Sequence, residues 1–167
     1  MPPRRLTGAA EMVVGLATTA LPFARNREEE AERWLRLFRR HGNVSAALQE
    51  LGIGEQPLAA ACERTGDPDG PGLAAQQRQR LERREAELTV RAVAAQATRR
   101  AGERGSATVT TADLLLGSLD HYGRPFEQLL ERYGTSREQV VERVERLRCD
   151  TDEAAPGGQL AHDTNSA

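Results

Sequence analysis

Lysine is missing altogether: all 23 basic residues of this 167-residue chain are arginine. That absence excludes a phosphate-loop lysine, a Schiff-base lysine and a lysine general base. Aromatics are scarce, at 4% of residues, and the apolar complement is mainly Ala, Leu and Val. Such side chains suit closely packed helices better than a β-sandwich. The two cysteines, Cys62 and Cys149, show no CxxC spacing, so neither a disulfide framework nor a zinc site is expected. Neither sign of charge prevails: the net charge is -2 although 29% of residues are charged. No global basic field would draw the chain to nucleic acid or to an anionic membrane. Long apolar runs are lacking as well, so no bilayer-spanning segment is expected. The stretch LTGAAEMVVGLATTALPF (6–23) is interrupted by Glu11 and leads into a charged amphipathic segment. It reads as a helix of the folded domain rather than a signal peptide, and the expected location is the cytoplasm. The chain has no Ser/His/Asp motif, no paired His ligands and no glycine-rich phosphate cradle. The expectation is therefore no catalytic residue, no cofactor and no metal.

What is present is helical patterning. Thr7 is a candidate N-cap for a helix that runs to the break at Pro22. Asn26 and Glu29 have the spacing of a capping box for REEEAERWLRLFRRH, which places Ala31, Trp34, Leu35 and Phe38 on one face. A short third helix carries Val44, Ala47, Leu48 and Leu51 and stops at Gly52; a fourth starts near Gly54 with Pro57 in its first turn. TGDPDGPG (65–72) holds too much Pro and Gly for a helix or strand and reads as a linker. The pattern then restarts with a long helix ending at Gly105. Next come ADLLLGSLDHYG capped by Thr111, PFEQLLERYG, and a last helix with Thr135 and Glu138 as its capping box. The stretch from Asp150 to Ala167 has no periodicity and is expected to be disordered.

The halves can be laid on each other: EAERWLRLFRRHGNVSAALQELGIGEQPLAAACE against TADLLLGSLDHYGRPFEQLLERYGTSREQVVERV. Ala31 falls opposite Ala112, Glu32 opposite Asp113, Leu35 opposite Leu115, Val44 opposite Phe126, Leu48 opposite Leu130 and Gly52 opposite Gly134. Leu58 and Cys62 fall opposite Val140 and Val144. The expected fold is all-α, two pseudo-twofold-related four-helix repeats with a period of about eighty residues. The expected boundaries are 1–64, a linker at 65–72, 73–149, and a tail at 150–167.

HGNVSAALQELGIG (41–54) also has the outline of a helix-turn-helix, and a DNA-binding regulator built on residues 34–64 is the rival reading. Two features weigh against it. Leu48 stands four residues before the turn glycine, where the close crossing of such helices needs a small side chain, and the second helix would offer Glu55, Gln56 and Glu63 to a phosphate backbone.

VTTADLLLGSL (109–119) and FEQLLERYGTSREQVVERV (126–144), with the weaker LTGAAEMVVGLA (6–17) and WLRLFRRHGNVSAALQELGI (34–53), resemble the Clp N-terminal repeat. That repeat forms the substrate-receiving domain of ClpC-type unfoldases, and the likeness covers about residues 6–148. The resemblance implies a freestanding copy without an ATPase module, since GxxxxGK[ST] is absent. It would be non-catalytic and would bind proteins or peptides: a Clp unfoldase or protease component, its clients, or a cyclic peptide antibiotic. Its role would be to regulate a Clp protease system or to sequester Clp-targeting peptides. The candidate partner surface carried over from the family is Leu6, Thr7, Ala31, Glu32, Thr111, Ala112 and Asp113. Some family members use a Glu in each repeat to receive the guanidinium of phosphoarginine. The matching residues here are Ala31 and Ala112, so that recognition is expected to be lost or much weakened. His41 and His121 are expected to cap helix C-termini, Trp34 to be core, and RQRLERREAE (78–87) to be a solvated face.

Overall fold

The computed structural model describes residues 4–54 and 73–153. Within them the chain forms seven α-helices and one very small sheet. The helices are α1 (Gly8–Ala20), α2 (Arg27–Arg40), α3 (Val44–Glu50), α4 (Leu73–Glu103), α5 (Thr111–Tyr122), α6 (Arg124–Arg132) and α7 (Arg137–Glu153). A 3₁₀ turn, Leu21–Phe23, follows α1. The expected helix near Gly54–Arg64, the linker at 65–72, and Leu58 and Cys62 all lie outside the described residues.

Side-chain caps start α1, α2, α5 and α7. The Thr7 hydroxyl accepts from Ala10 N–H, and the Asn26 side chain accepts from Glu29 N–H. Two caps sit one residue away from the expected position. Thr110, not Thr111, caps α5, through a reciprocal box with Asp113. The last helix is capped by Ser136 with Gln139, rather than Thr135 with Glu138: Ser136 Oγ accepts from Gln139 N–H and Gln139 Oε1 accepts from Ser136 N–H. At α5 the three-residue spacing decides, since Thr110 has Asp113 at N3 whereas Thr111 would have Leu114. At the last helix both pairs have that spacing, and the Thr135 hydroxyl donates to Gln139 Oε1 at 3.0 Å instead of capping. The last helix also continues past Asp150, to Glu153.

Parallel strands β1 (Arg5–Leu6) and β2 (Thr108–Val109) were not expected from sequence. Because β1 leads into α1 and β2 follows α4, the pairing sets the start of α1 beside the end of α4. The two helices therefore run antiparallel.

The core is one continuous cluster around α5, which is buried from Thr111 through Leu119. Its most extensive contact is with α4, and α2, α1, α3, α6 and α7 pack around it. Gly117 permits the α4 contact: a Cβ there would stand 3.0 Å from Val93 O and 3.1 Å from Ala97 N, backbone atoms that cannot swing away. On α2 the buried residues are Ala31, Trp34, Leu35 and Phe38. α5, by contrast, is buried at every position from Thr111 through Leu119 and again at Tyr122. Both following helices close with the same hydrogen bonds. Ile53 N–H reaches Leu48 O at 2.9 Å and Thr135 N–H reaches Leu130 O at 3.2 Å, around Gly52 (φ 76°) and Gly134 (φ 73°). Glycine takes that left-handed φ without the Cβ penalty.

By contrast, residues 76–85 of α4 are exposed on every side, in keeping with their mixed charges. Among the described residues no helix is long and apolar enough to cross a membrane.

Candidate partner surface at the starts of α1 and α5

The β1–β2 pairing brings two helix starts together. Thr7 N–H donates to Val109 O at 2.9 Å, so the cap of α1 lies directly beside the strand that delivers the cap of α5. Leu6 and Thr7 are thereby joined to Thr110 and its helix, and both stay partly exposed. Arg4 Nε–H fastens the same corner by donating to Ser106 O at 2.9 Å.

Most of the other family-derived positions do not reach the surface. Thr111, Ala112 and Asp113 are buried, and so is Ala31. The reason is that α5 is surrounded: its first turn faces the α2–α3 connection on one side and α4 and α7 on others. The Thr111 hydroxyl donates to Asn43 Oδ1 at 2.9 Å, tying that connection to α5. Ala31 is covered because the apolar face of α2 packs on α5. Glu32 is turned outward and pairs with Arg36 at 3.5 Å. Of the seven candidate positions, Leu6, Thr7 and Glu32 are partly exposed, and Ala31, Thr111, Ala112 and Asp113 are buried.

Asp113 is the centre of a charge network that the sequence reading missed. Its carboxylate is fully buried and accepts from Arg104 Nη2 at 2.7 and 2.8 Å and from Arg148 Nη2 at 2.7 Å. It also accepts from the Thr110 backbone N–H and hydroxyl, both at 2.9 Å. With two guanidinium groups in place it has no capacity left for an external one. Burial pulls the Arg148 guanidinium below its ordinary range, which Asp113 opposes. One helical repeat further on, Asp120 accepts from Arg100 and Arg137, both at 2.6 Å. Two carboxylates seven apart on one α5 face therefore hold α4 and α7 to it. The signal was available: two acids within an otherwise apolar helix need partners, and only arginine can supply the charge here.

A second polar chain crosses the core. Trp34 Nε1–H donates to Tyr122 Oη at 3.1 Å, and Tyr122 in turn donates to Glu30 Oε2 at 3.0 Å. Burial, with Glu30 adding to it, pushes the Tyr122 phenol above its usual range. Trp34 is core, as expected.

His41 does stand at the C-cap of α2, whereas His121 lies inside the last turn of α5, with Gly123 beyond it as the cap. Burial first, and then the Arg27 charge, lower the His121 pKa below 6.5. The folded state therefore binds its proton less readily than the unfolded chain does. Stability contributed by neutral His121 is present above pH 6.5 and is lost as pH falls through 6.5 toward the lowered value. Urea titrations at pH 7.5 and 5.0 should show this loss, and His121→Gln should reduce the difference between them.

No group of three or more His, Cys, Asp or Glu that could hold a metal ion occurs among the described residues. No known protein family matches the chain, and no curated protein matches it.

Proposed function

We propose that this protein is a Clp-repeat-like module that binds protein or peptide ligands and catalyses no reaction, serving a Clp protease system as regulator or as a sink for peptides that target it. The observation that carries the proposal is the matched closure of the α2–α3 and α5–α6 pairs. Each ends on the same glycine-centred cap, Ile53 N–H to Leu48 O around Gly52 and Thr135 N–H to Leu130 O around Gly134. A duplicated unit packing on its copy, α2 against α5 and α1 against α4, accounts for that match. It supports a fold of two pseudo-twofold-related four-helix repeats.

The ligand preference differs from that of phosphoarginine-reading relatives. Ala31 and Ala112 offer no acceptor and no access, and Asp113 is already saturated by Arg104 and Arg148. Glu32, Leu6 and Thr7 are the remaining candidates for ligand contact.

The DNA-binding alternative rests on α3 followed by a second helix within residues outside the described ones. Leu48, at the position that would have to be small, is fully buried in α3, which weighs against a close crossing.

Fluorescence anisotropy separates the readings, using a labelled, permanently unfolded polypeptide (reduced and carboxymethylated) and a random-sequence DNA duplex, each at low and at physiological salt. The module is expected to bind the polypeptide and leave the duplex free. Duplex binding that weakens steeply with salt, without polypeptide binding, would establish the regulator instead. Calorimetry with free phosphoarginine should show no binding tighter than millimolar.

A further inference from the structure

In a chain with 29% charged residues, α1 carries one charge over its 13 residues, Glu11. Its inner stripe, Ala10, Val13 and Ala17, is buried in the ordinary amphipathic manner. The outer side is not polar. Met12 is 55% exposed, Leu16 38% and, in the 3₁₀ turn, Phe23 68%. Alongside them Gly8 and Gly15 leave open space where a Cβ would stand, so another backbone can approach closely. Phe23 is held in position rather than loose: Arg33 donates from Nη1 to Ala20 O at 3.0 Å and from Nη2 to Phe23 O at 2.8 Å. An anchor ordered beforehand loses little freedom on docking. Met12 and Leu16, one turn apart on α1, and Phe23 in the turn that ends it give three exposed large apolar side chains within twelve residues, unlike the single scattered exposures that any surface shows.

We propose that this face docks against a second copy of the chain, with two α1 helices crossing antiparallel about a twofold axis near Thr18. The charges at its ends choose this occupant. Glu11 lies at one end of the patch and Arg25 at the other, with no charged residue between them in the sequence, and Arg33 of α2 adds its charge at the Arg25 end, on the Ala20 and Phe23 carbonyls. An antiparallel copy sets Glu11 of each protomer toward this basic end of the other. Helix rise places Met12 and Phe23 about 18 Å apart, with their midpoint near Thr18. The same axis therefore brings each Met12 thioether to the partner's Phe23 ring, a favourable sulfur–aromatic contact. Such an interface is isologous, so every substitution in it acts twice. This inference is independent of the proposed ligand-binding role.

Sedimentation equilibrium of the full chain over a wide concentration range tests it. The expected result is a reversible monomer–dimer equilibrium. Leu16→Arg should weaken it at least about tenfold, because two charges enter an apolar contact. Far-UV circular dichroism and the thermal midpoint of a dilute, monomeric sample should stay unchanged, since Leu16 is on the outer face. Glu11→Arg and Arg25→Glu should each weaken self-association, and mixing the two variants should restore a heterodimer. A monomer at every concentration would overturn the proposal, including the case in which another protein covers the face. A dimer indifferent to Leu16→Arg, or two charge variants that fail to complement each other, would overturn it equally.

Discussion

Asp113→Ala is expected to lower stability by about 3–5 kcal/mol, enough to move the thermal midpoint by on the order of 10 °C or more. The cause is less the loss of a favourable pair than the state of the arginines left behind. Arg148 is 14% exposed at its side chain and Asp113 is fully buried, so the guanidinium would remain desolvated without its counter-charge. Its Nε has no hydrogen-bond partner among the described residues. Arg104 is about one-third exposed and can return to water, so Arg148 dominates the effect. The α5 capping box disappears as well, for about a further 1 kcal/mol. Differential scanning calorimetry gives the size of the loss, and a second substitution reveals its origin. Asp113→Ala combined with Arg148→Met should recover part of the loss, because an apolar stem of similar length needs no counter-charge. If the double variant were less stable than Asp113→Ala alone, the stranded-charge explanation would fail.

Trp34→Ala should cost about 3–5 kcal/mol, as large-to-small substitutions at fully buried aromatics do. Trp34 is fully buried, stacks on Phe38 with ring centroids 5.6 Å apart and supplies the hydrogen bond to Tyr122 Oη. Its loss opens a cavity at the meeting of α2 and α5 and leaves Tyr122 with Glu30 alone. Trp34→Phe divides the two contributions: it keeps much of the packing, removes the Nε1–H donor, and should cost about 1 kcal/mol for the hydrogen bond together with a smaller cavity term. Chemical denaturation followed by far-UV circular dichroism measures both variants, since Trp34 is the one tryptophan in the sequence. A cost below about 1 kcal/mol for Trp34→Ala would mean that the α2–α5 contact is looser than described.

The elements legible in the sequence are those set by neighbours a few residues away. Thr7 and Asn26 cap their helices because a side-chain oxygen needs only the next turn's N–H groups. Gly52 and Gly134 end theirs because the stop requires a positive φ, a property of one residue. The cap at Thr110 was legible in the same terms, since Asp113 stands at the reciprocal spacing, whereas Thr135–Glu138 and Ser136–Gln139 share that spacing and local pattern alone leaves a choice between them. The partner surface was read less well. Thr111, Ala112 and Asp113 enter it through the family resemblance and not through any local sign of exposure. Nothing local announces that α2, α4 and α7 close over them.

The sequence by itself determined the helical class, most helix stops and starts, the burial of Trp34 and the impossibility of lysine chemistry, because periodicity, capping and composition act over one or two turns. Only the tertiary structure decided that Asp113 is saturated by Arg104 and Arg148, that β1 finds β2, and that α1 keeps Met12, Leu16 and Phe23 at the surface. These depend on which segments meet across nearly the whole chain, and an apolar or charged side chain carries no local mark of the partner that will cover it.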